Sequence, residues 1–374
     1  MNSVQSNLHD EQLTVRIQSI LKEKYDLGRL VRIAEIFGGY CNKSYGVWIL
    51  QEDGLKKYLL RQYNPNLAES EIRFEHALLT HLKRKGFDPT AGVISCRDGT
   101  TFIKTPTPVQ PTGESVYWAL FDFLEGEDKY QWTKTDLTPA EYISSSEMLA
   151  KLHFYGRDFV KPEGADRVQP PIMEFLPTFK TTFAAYANQA GARRFDQLFK
   201  DNTDRIFSVI DECLTANDRF QGMPVLPIHC DYHPGNLKFE KEKVVGIVDF
   251  DWSKIDYRLF DVALGLVYFA SEWKGKAAGT LLPDKFELFL KSYNDTCRRL
   301  VYLEPLTLQE QKNLLPMLAA ANLYVIHWDL ADFYETPNPD DDEYYVFIDH
   351  NIRLMHWIED QPAGIQTAIK KACA

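Results

Sequence analysis

Apolar and polar positions change rhythm along the chain, and the changes divide it into two regions. Residues 9–26 repeat apolar side chains at helical spacing (Leu13, Ile17, Ile20, Leu21), which predicts an amphipathic helix. The period then shortens. "LVRIAEIFGGYCNKSYGVWILQEDGLKKYLLRQYN" predicts a strand, a glycine turn, a strand over 44–50, a tight turn at Asp53-Gly54 and a strand over 57–62. "NLAESEIRFEHALLTHLKRKG" restores helical spacing through Ile72, Leu78, Leu79 and Leu82, and Gly86 closes it. "GTTFIKT" and "YWALFDFLEGED" predict two further strands. Beyond them helical patterns dominate, at 139–153, 174–198 and 202–217, then at 283–300, 307–333 and 343–359. Strand signals at 236–240 and 244–250 interrupt the series. The pattern predicts an α+β chain in two lobes. A small antiparallel β-sheet lobe with one main helix spans 1–123, and a larger, mostly helical lobe spans 124–374.

Composition narrows the class. Apolar residues are 45% and charged residues 25% of the 374, the balance of a soluble globular chain. The formal charge of −11 argues against a nucleic-acid footprint or an anionic membrane partner, and mildly favours a small cationic substrate. The aromatic share of 13% fits either aromatic-lined grooves or a well-filled core. Six scattered cysteines without a CxxC pair read as reduced thiols, neither a disulfide framework nor a zinc site. The polar start "MNSVQSNLHDEQLTVRI" has no apolar signal region, and no run approaches the length of a membrane span. These features predict a cytoplasmic protein, monomeric or homodimeric.

The chemistry concentrates in "IHCDYHPGNLKFEKEKVVGIVDFDW", residues 228–252. His229-x-Asp231-x-His233 presents metal-ligand types on alternate residues, and equally fits histidines bonding the backbone of a turn. The wider pattern is more specific. Asp231-x₄-Asn236 is followed thirteen residues later by Asp249-Phe250-Asp251, across a strand–turn–strand. Phosphoryl transfer uses such a set: a carboxylate takes the attacking hydroxyl's proton, while an amide oxygen and a second carboxylate hold Mg²⁺ against the nucleotide phosphates. Asp-x₄-Asn is the spacing of the protein-kinase catalytic loop, and Asp249-Phe250 stands where the kinase metal-binding Asp-Phe stands. Pro234-Gly235 supplies the reversal between Asp231 and Asn236.

"HCDYHPGN…VVGIVDFDW" closely resembles the signature of the aminoglycoside phosphotransferase and choline kinase superfamily, whose fold is similar to that of protein kinases. The likeness continues into "YRLFDVALGLVYF" and extends over the chain in element order. It implies a protein-kinase-like bilobal fold, ATP or another nucleoside triphosphate with Mg²⁺ as cofactors, and a small-molecule hydroxyl as acceptor. Asp231 then looks like the catalytic base, and Asn236 and Asp249 like the metal ligands. His229 takes the position that braces the loop, and His233 that of a phosphate or substrate contact or a turn brace. Asp251 is either substrate-facing or behind the metal, and Asp261 caps or braces the loop. In the first lobe the phosphate-covering loop falls in "FGGYCNKSYGVW". It is not G-x-G-x-x-G, so Asn42 and Ser44 with backbone N–H groups become its candidates. Arg61 stands where protein kinases place a phosphate-binding lysine, with Lys57 nearby, and Glu75 matches the helix carboxylate that pairs with it. Asp122, Phe123 and Leu124 resemble the hinge that bonds the adenine edge.

Order and length look most like type II homoserine kinases, although "DYHPGN", "DFDW" and Arg61 depart from them. A homoserine-like acceptor requires a carboxylate anchor, for which Arg258 and Lys254 are the candidates. A choline-like amine requires an aromatic cage, for which Trp252, Tyr257, Trp273, Tyr324, Trp328, Asp329 and Tyr334 are candidates. An aminosugar is a third acceptor class. Other readings are weaker. A protein serine/threonine kinase would need an activation segment ending in Ala-Pro-Glu, and none is present. A non-catalytic nucleotide-binding protein fits poorly with intact Asp231, Asn236 and Asp249. A metal-dependent hydrolase would need ligands beyond His229, Asp231 and His233.

Overall fold

Strand-period alternation sets the first layer. The structure is a computed structural model that describes residues 2–36, 42–106, 115–133, 136–215 and 217–374. It separates into two compact units, one of residues up to Glu125 with Lys161–Asp166, the other of Gly126–Val160 with Arg167–Ala374. The first contains α1 (Asn2–Lys24), β1 (Arg29–Ile36), β2 (Lys43–Gln51), β3 (Gly54–Gln62), α2 (Glu69–Arg84), β4 (Val93–Ile94), β5 (Ile103–Pro106) and β6 (Ser115–Asp122). Its sheet is antiparallel in the order β1-β2-β3-β6-β4, with β5 also on β6. Tyr45, Val47 and Ile49 of β2, Tyr58 and Leu60 of β3, and Trp118 and Leu120 of β6 bury one face together with Ile17, Ile20 and Leu21 of α1. Each such aliphatic side chain contributes about 1.5–3 kcal/mol on burial. The pleat therefore turns Lys57 and Arg61 to the other face. The turn residues Gly38, Gly39 and Cys41 lie outside the described residues.

The chain crosses to the second unit later than a cut at 123/124. Asp122 N–H still bonds the Gly92 carbonyl (2.8 Å), and Lys57 Nζ lies 3.3 Å from the centre of the Phe123 ring. Only at Gly126 and Glu127 does the backbone join β8. Gly126 has φ +129°, and a Cβ there would come within 2.8 Å of Lys238 Cβ, so glycine is required.

The second unit contains α3 (Pro139–Gly156), α4 (Ile172–Gln189), α5 (Arg194–Thr215), β7 (Val225–Ile228), β8 (Leu237–Glu240), β9 (Lys243–Ile247), β10 (Lys254–Tyr257), α6 (Arg258–Ala270), β11 (Ser271–Glu272), β12 (Thr280–Leu281), α7 (Pro283–Arg299), α8 (Leu308–Glu335), α9 (Asp341–Asp360) and α10 (Pro362–Cys373). Strands β7 and β10 pair antiparallel, as do β8 and β9. Every residue of α6 is buried, and the helix packs against α7 and α8. Helix α8 is long and apolar enough to cross a membrane by composition, yet 78% of that window is buried in the fold. It is a core helix.

Three boundaries differ from the hydropathy reading. The helix expected over 174–198 breaks at 190–193, where Asp196 Oδ2 accepts from Arg193 N–H (3.1 Å) and starts α5 afresh. The strand expected over 244–250 stops at Ile247, because Asp249 is left-handed (φ +67°). Helix α10 has no counterpart in the sequence reading; Pro362 ends α9's register and serves as its first helical residue.

Candidate active site

The loop after β7 carries Asp231 on a strained backbone. Cys230, just before it, has φ +63°, a conformation costing an L-residue about 1–2 kcal/mol. A buried carboxylate offsets that cost. Asp261, in the first turn of α6, accepts from His229 N–H through Oδ2 and from Cys230 N–H through Oδ1, both at 2.9 Å. His153 Nε2 lies 3.0 Å from the same Oδ2. Burial pushes the Asp261 carboxyl up, but His153, His229 and the backbone N–H groups outweigh it, so it titrates below its ordinary range.

His229 and His233 diverge. Fully buried His229 donates Nε2–H to the Val248 carbonyl (3.0 Å), which ties the loop to the residue before Asp249. Burial pushes its imidazole below the ordinary histidine range, against the pull of Asp261 and Asp231. His233 caps the short turn at 234–236, its Nδ1 accepting from Gly235 N–H (3.0 Å), with Nε2 3.5 Å from Asp231 Oδ2. Among the described residues no group of three or more His, Cys, Asp or Glu side chains is placed to hold a metal.

Asn236 couples the two acids. Its Nδ2 donates to the Asp231 carbonyl and to Asp231 Oδ2, each at 2.9 Å. Its own carbonyl accepts from Val248 N–H (3.0 Å), so the β8–β9 register sets Asn236 next to the residue before Asp249. Burial raises the Asp231 carboxyl; His233, His229 and Asn236 more than compensate, and it is held below its usual range as an ionised acceptor. With Oδ2 occupied by Asn236, Oδ1 is the oxygen that can receive a proton. Fixing Nδ2 on Asp231 also directs Asn236 Oδ1 away from it. That amide oxygen and the Asp249 carboxylate are hard oxygen donors of the kind that would suit Mg²⁺.

In the first unit Arg61 Nη1 lies 3.2 Å from Glu75 Oε1, while Tyr63 Oη donates to Glu75 Oε2 (2.7 Å). The β2–β3 register places Ser44 opposite Arg61. Asn42 Oδ1 accepts from Asn64 N–H (2.8 Å). Lys57 is four residues from Arg61 on one strand, ~13 Å away, and lies over Phe123 instead of beside Glu75. Of the three residues read from the sequence as a hinge, Asp122 donates its N–H to the Gly92 carbonyl (2.8 Å).

The carboxylate anchors read from the sequence are used elsewhere. Arg258 is buried and bidentate on Glu310 (2.9 and 2.6 Å), with further bonds to the Glu304 and Pro305 carbonyls. Lys254 is buried, bonded to the Pro170 carbonyl (2.8 Å) and 3.2 Å from Asp256. The aromatic cage also divides. Trp252 and Trp328 meet at 4.5 Å, with Tyr324 edge-on to Trp328 at 6.1 Å. Trp273 instead stacks on His350, Tyr257 approaches Phe220, and Tyr334 stacks on Tyr186. Asp251 is buried at the same turn as Trp252. Sequence reasoning missed Arg167, whose Nη2 donates to the Asp251 carbonyl. It lies outside any periodic segment, 84 residues away, and no local signal marks it.

Asp329 is a core acid. It is buried and accepts from Asn351 Nδ2 (2.7 Å), and burial pushes its carboxyl up to about 8, opposed by Asn351 and reinforced by Asp332. The folded state thus binds a proton that the unfolded chain has lost above about 3.9. Stability is therefore expected to fall as pH rises from about 4 through 8, and Asp329→Asn to flatten that slope in urea unfolding measured at pH 5, 6.5 and 8. An unchanged slope would refute the assignment.

Comparison with known proteins places these residues in a family. A profile described as the phosphotransferase enzyme family matches residues 36–291, which include Arg61, Glu75, Asp231, Asn236 and Asp249. The chain belongs to this family, and it is a phosphotransferase with an alcohol group as acceptor. It is similar to the homoserine kinase of Zymomonas mobilis subsp. mobilis (24% identity over 340 residues, 90% of each chain) and to that of Afipia carboxidovorans (28% over 322 residues, 84% of this chain and 83% of the relative). Its fold is similar to an amicoumacin kinase solved with AMP-PNP, Ca²⁺ and its ligand (TM-score 0.66, 14% identity, 96% of each chain). It is also similar to a microcompartment-associated aminopropanol kinase (TM-score 0.61, 15% identity, 94% of this chain and 98% of the other).

Proposed function

We propose that the protein transfers the γ-phosphoryl group of ATP, with Mg²⁺, to the hydroxyl of a small amine-bearing acceptor, a homoserine-like amino acid before an amino alcohol or aminosugar. The observation that carries this reading is the Asn236–Asp231 bond, which fixes a carboxylate and an amide oxygen in divergent roles on one short loop. Asp231 Oδ1 orients the acceptor hydroxyl and takes its proton as the oxygen attacks phosphorus in line. Asn236 and Asp249 would hold Mg²⁺, whose charge stabilises the phosphoryl oxygens. The first unit is the nucleotide lobe. In it Arg61, held by Glu75, meets phosphate, Asn42 and Ser44 flank the covering loop, and backbone groups of Phe123 and Leu124 meet the base. Homoserine stands first because both named relatives are homoserine kinases aligned over more than four-fifths of this chain. The test is a Mg-ATP turnover screen over homoserine, amino alcohols, aminosugars and sugars, read by ADP release and product mass. Acceptor-dependent ADP with a product heavier by one phosphoryl group is expected with homoserine. ATP use that no acceptor stimulates would refute the reading.

A further inference from the structure

The Arg61–Glu75 pair is the end of a longer buried line within the first unit. Arg61 and Tyr63 stand two residues apart, and Tyr63 N–H bonds the Tyr117 carbonyl (2.9 Å), one step past the β3–β6 ladder. Strand alternation therefore gives both side chains one face, and both meet Glu75 of α2. Glu75 is buried, and a carboxylate in such a place needs donors on both oxygens. Arg61 Nη1 stands against Oε1 (3.2 Å), and Tyr63 Oη donates to Oε2 (2.7 Å).

The proton order along the line follows. A hydroxyl has one proton, and that of Tyr63 lies on Glu75, so Tyr63 Oη accepts from His76 Nε2–H (2.9 Å). Burial, with the charge of Arg61, pushes the buried His76 imidazole down to about 3. At neutral pH it therefore carries one proton, and its Nδ1 accepts from Thr101 Oγ1–H (2.8 Å). Every bond points the same way, from Thr101 through His76 and Tyr63 to Glu75, and each polarises the next.

Two rings join this line to the guanidinium. The Arg61 guanidinium carbon lies 5.9 Å from the Tyr63 ring centre and 5.7 Å from that of Phe121, and His76 stands edge-on to the same Phe121 at 5.4 Å. A planar guanidinium suits such surroundings better than an ammonium. An apolar pair of like volume would hold strand to helix at least as firmly as a buried ion pair. What the polar line adds is a direction for Arg61.

We propose that Thr101, His76 and Tyr63 form a positioning relay that aims Arg61, through Glu75, at the nucleotide phosphates. This rests on the reading of Arg61 as the phosphate cation. It deepens that reading by naming three residues that set the cation's direction without touching nucleotide.

The test compares calorimetric binding of MgADP with that of adenosine, which keeps base and ribose and lacks the phosphates. Tyr63→Phe is expected to weaken MgADP about 5- to 20-fold, the worth of a bond to a charged group, and to leave adenosine within about twofold. Thr101→Val, at the far end, should weaken MgADP about two- to threefold with adenosine unchanged. In an Arg61→Met background, Tyr63→Phe should have almost no further effect on MgADP, because the relay acts only through Arg61. Equal weakening of both ligands, or an undiminished Tyr63→Phe effect in the Arg61→Met background, would overturn the relay in favour of a role in folding alone. Should Tyr63→Phe fail to fold, Thr101→Val decides: wild-type affinity for MgADP overturns the relay, and a selective loss sustains it. Arg61→Met that binds MgADP like wild type would remove both the relay and the phosphate role of Arg61. The expected coupling in an enzyme that phosphorylates no acceptor would sustain the relay and sink the transfer reading.

Discussion

Replacing Asp231 by Asn is expected to lower kcat by about 10³-fold while KM for ATP changes less than about threefold. The substitution is nearly isosteric, and one amide oxygen can still accept from Asn236 Nδ2 in place of Oδ2 (2.9 Å). What disappears is the second oxygen, the proposed proton acceptor for the attacking hydroxyl. The neighbouring imidazole cannot replace it, because His233 Nδ1 already accepts from Gly235 N–H and its Nε2 points at the carboxylate. Steady-state ADP release with the best acceptor, beside calorimetric titration of nucleotide, separates loss of transfer from loss of binding. Turnover within an order of magnitude of wild type would remove Asp231 from the reaction.

Asp261→Asn should do its damage through the fold. The two oxygens of Asp261 receive two adjacent backbone N–H groups and His153 Nε2 inside a fully buried site. An asparagine offers one oxygen, so either His229 or Cys230 would face an N–H₂ donor and lose its partner. An unsatisfied buried donor and a lost charge-assisted bond together cost roughly 3 kcal/mol. Cys230 would also lose the contact that holds its left-handed backbone, and kcat should drop at least about tenfold as Asp231 moves. The sign with pH follows from a depressed carboxyl. Its contribution is present above the unfolded value near 3.9 and disappears as pH falls through the folded one. The variant should therefore lose stability at pH 7 and show a shallower acid limb. Guanidinium unfolding at pH 7, 4.5 and 3.5 reads both, and a wild-type midpoint at pH 7 would exclude the brace.

The proposed reacting set can be read from the sequence because its members are local. Asp231, Asn236 and Asp249 lie on one loop and one hairpin, so their spacing in sequence nearly is their spacing in space. The Arg61–Glu75 pair was legible for a related reason, since a strand followed by a helix leaves few ways to fold back. Charge near a motif misled. Arg258 follows "DFDWSKIDY" directly, and nothing nearby discloses Glu310, 52 residues on, which captures it. Arg167 is the converse case, bonded to the Asp251 carbonyl 84 residues on with no local signal for it. Aromatic residues at helical spacing gave no way to separate Trp328, which meets Trp252, from Tyr334, which packs in the α4–α5 core. The break at 190–193 escaped notice because apolar period continues across it, and only the side-chain bond from Asp196 marks a new start.

The β8–β9 hairpin separates what the site requires from what the sequence merely happens to show. Asn236 and the residue before Asp249 are tied by register: Leu237 pairs with Ile247, and Val248 N–H bonds the Asn236 carbonyl. The two turn residues, Lys241 and Glu242, lie at the far end of the ladder, beyond the Glu240–Lys243 pair. Residues added there in matched pairs would lengthen the ribbon and leave its base unchanged. The thirteen-residue interval is thus a property of this ribbon's length, whereas the tie between Asn236 and Val248 depends only on the paired base. A search for distant relatives that fixes the interval discards sequences with the same chemistry on a longer hairpin, and one that fixes only the two ends and the strand pattern retains them.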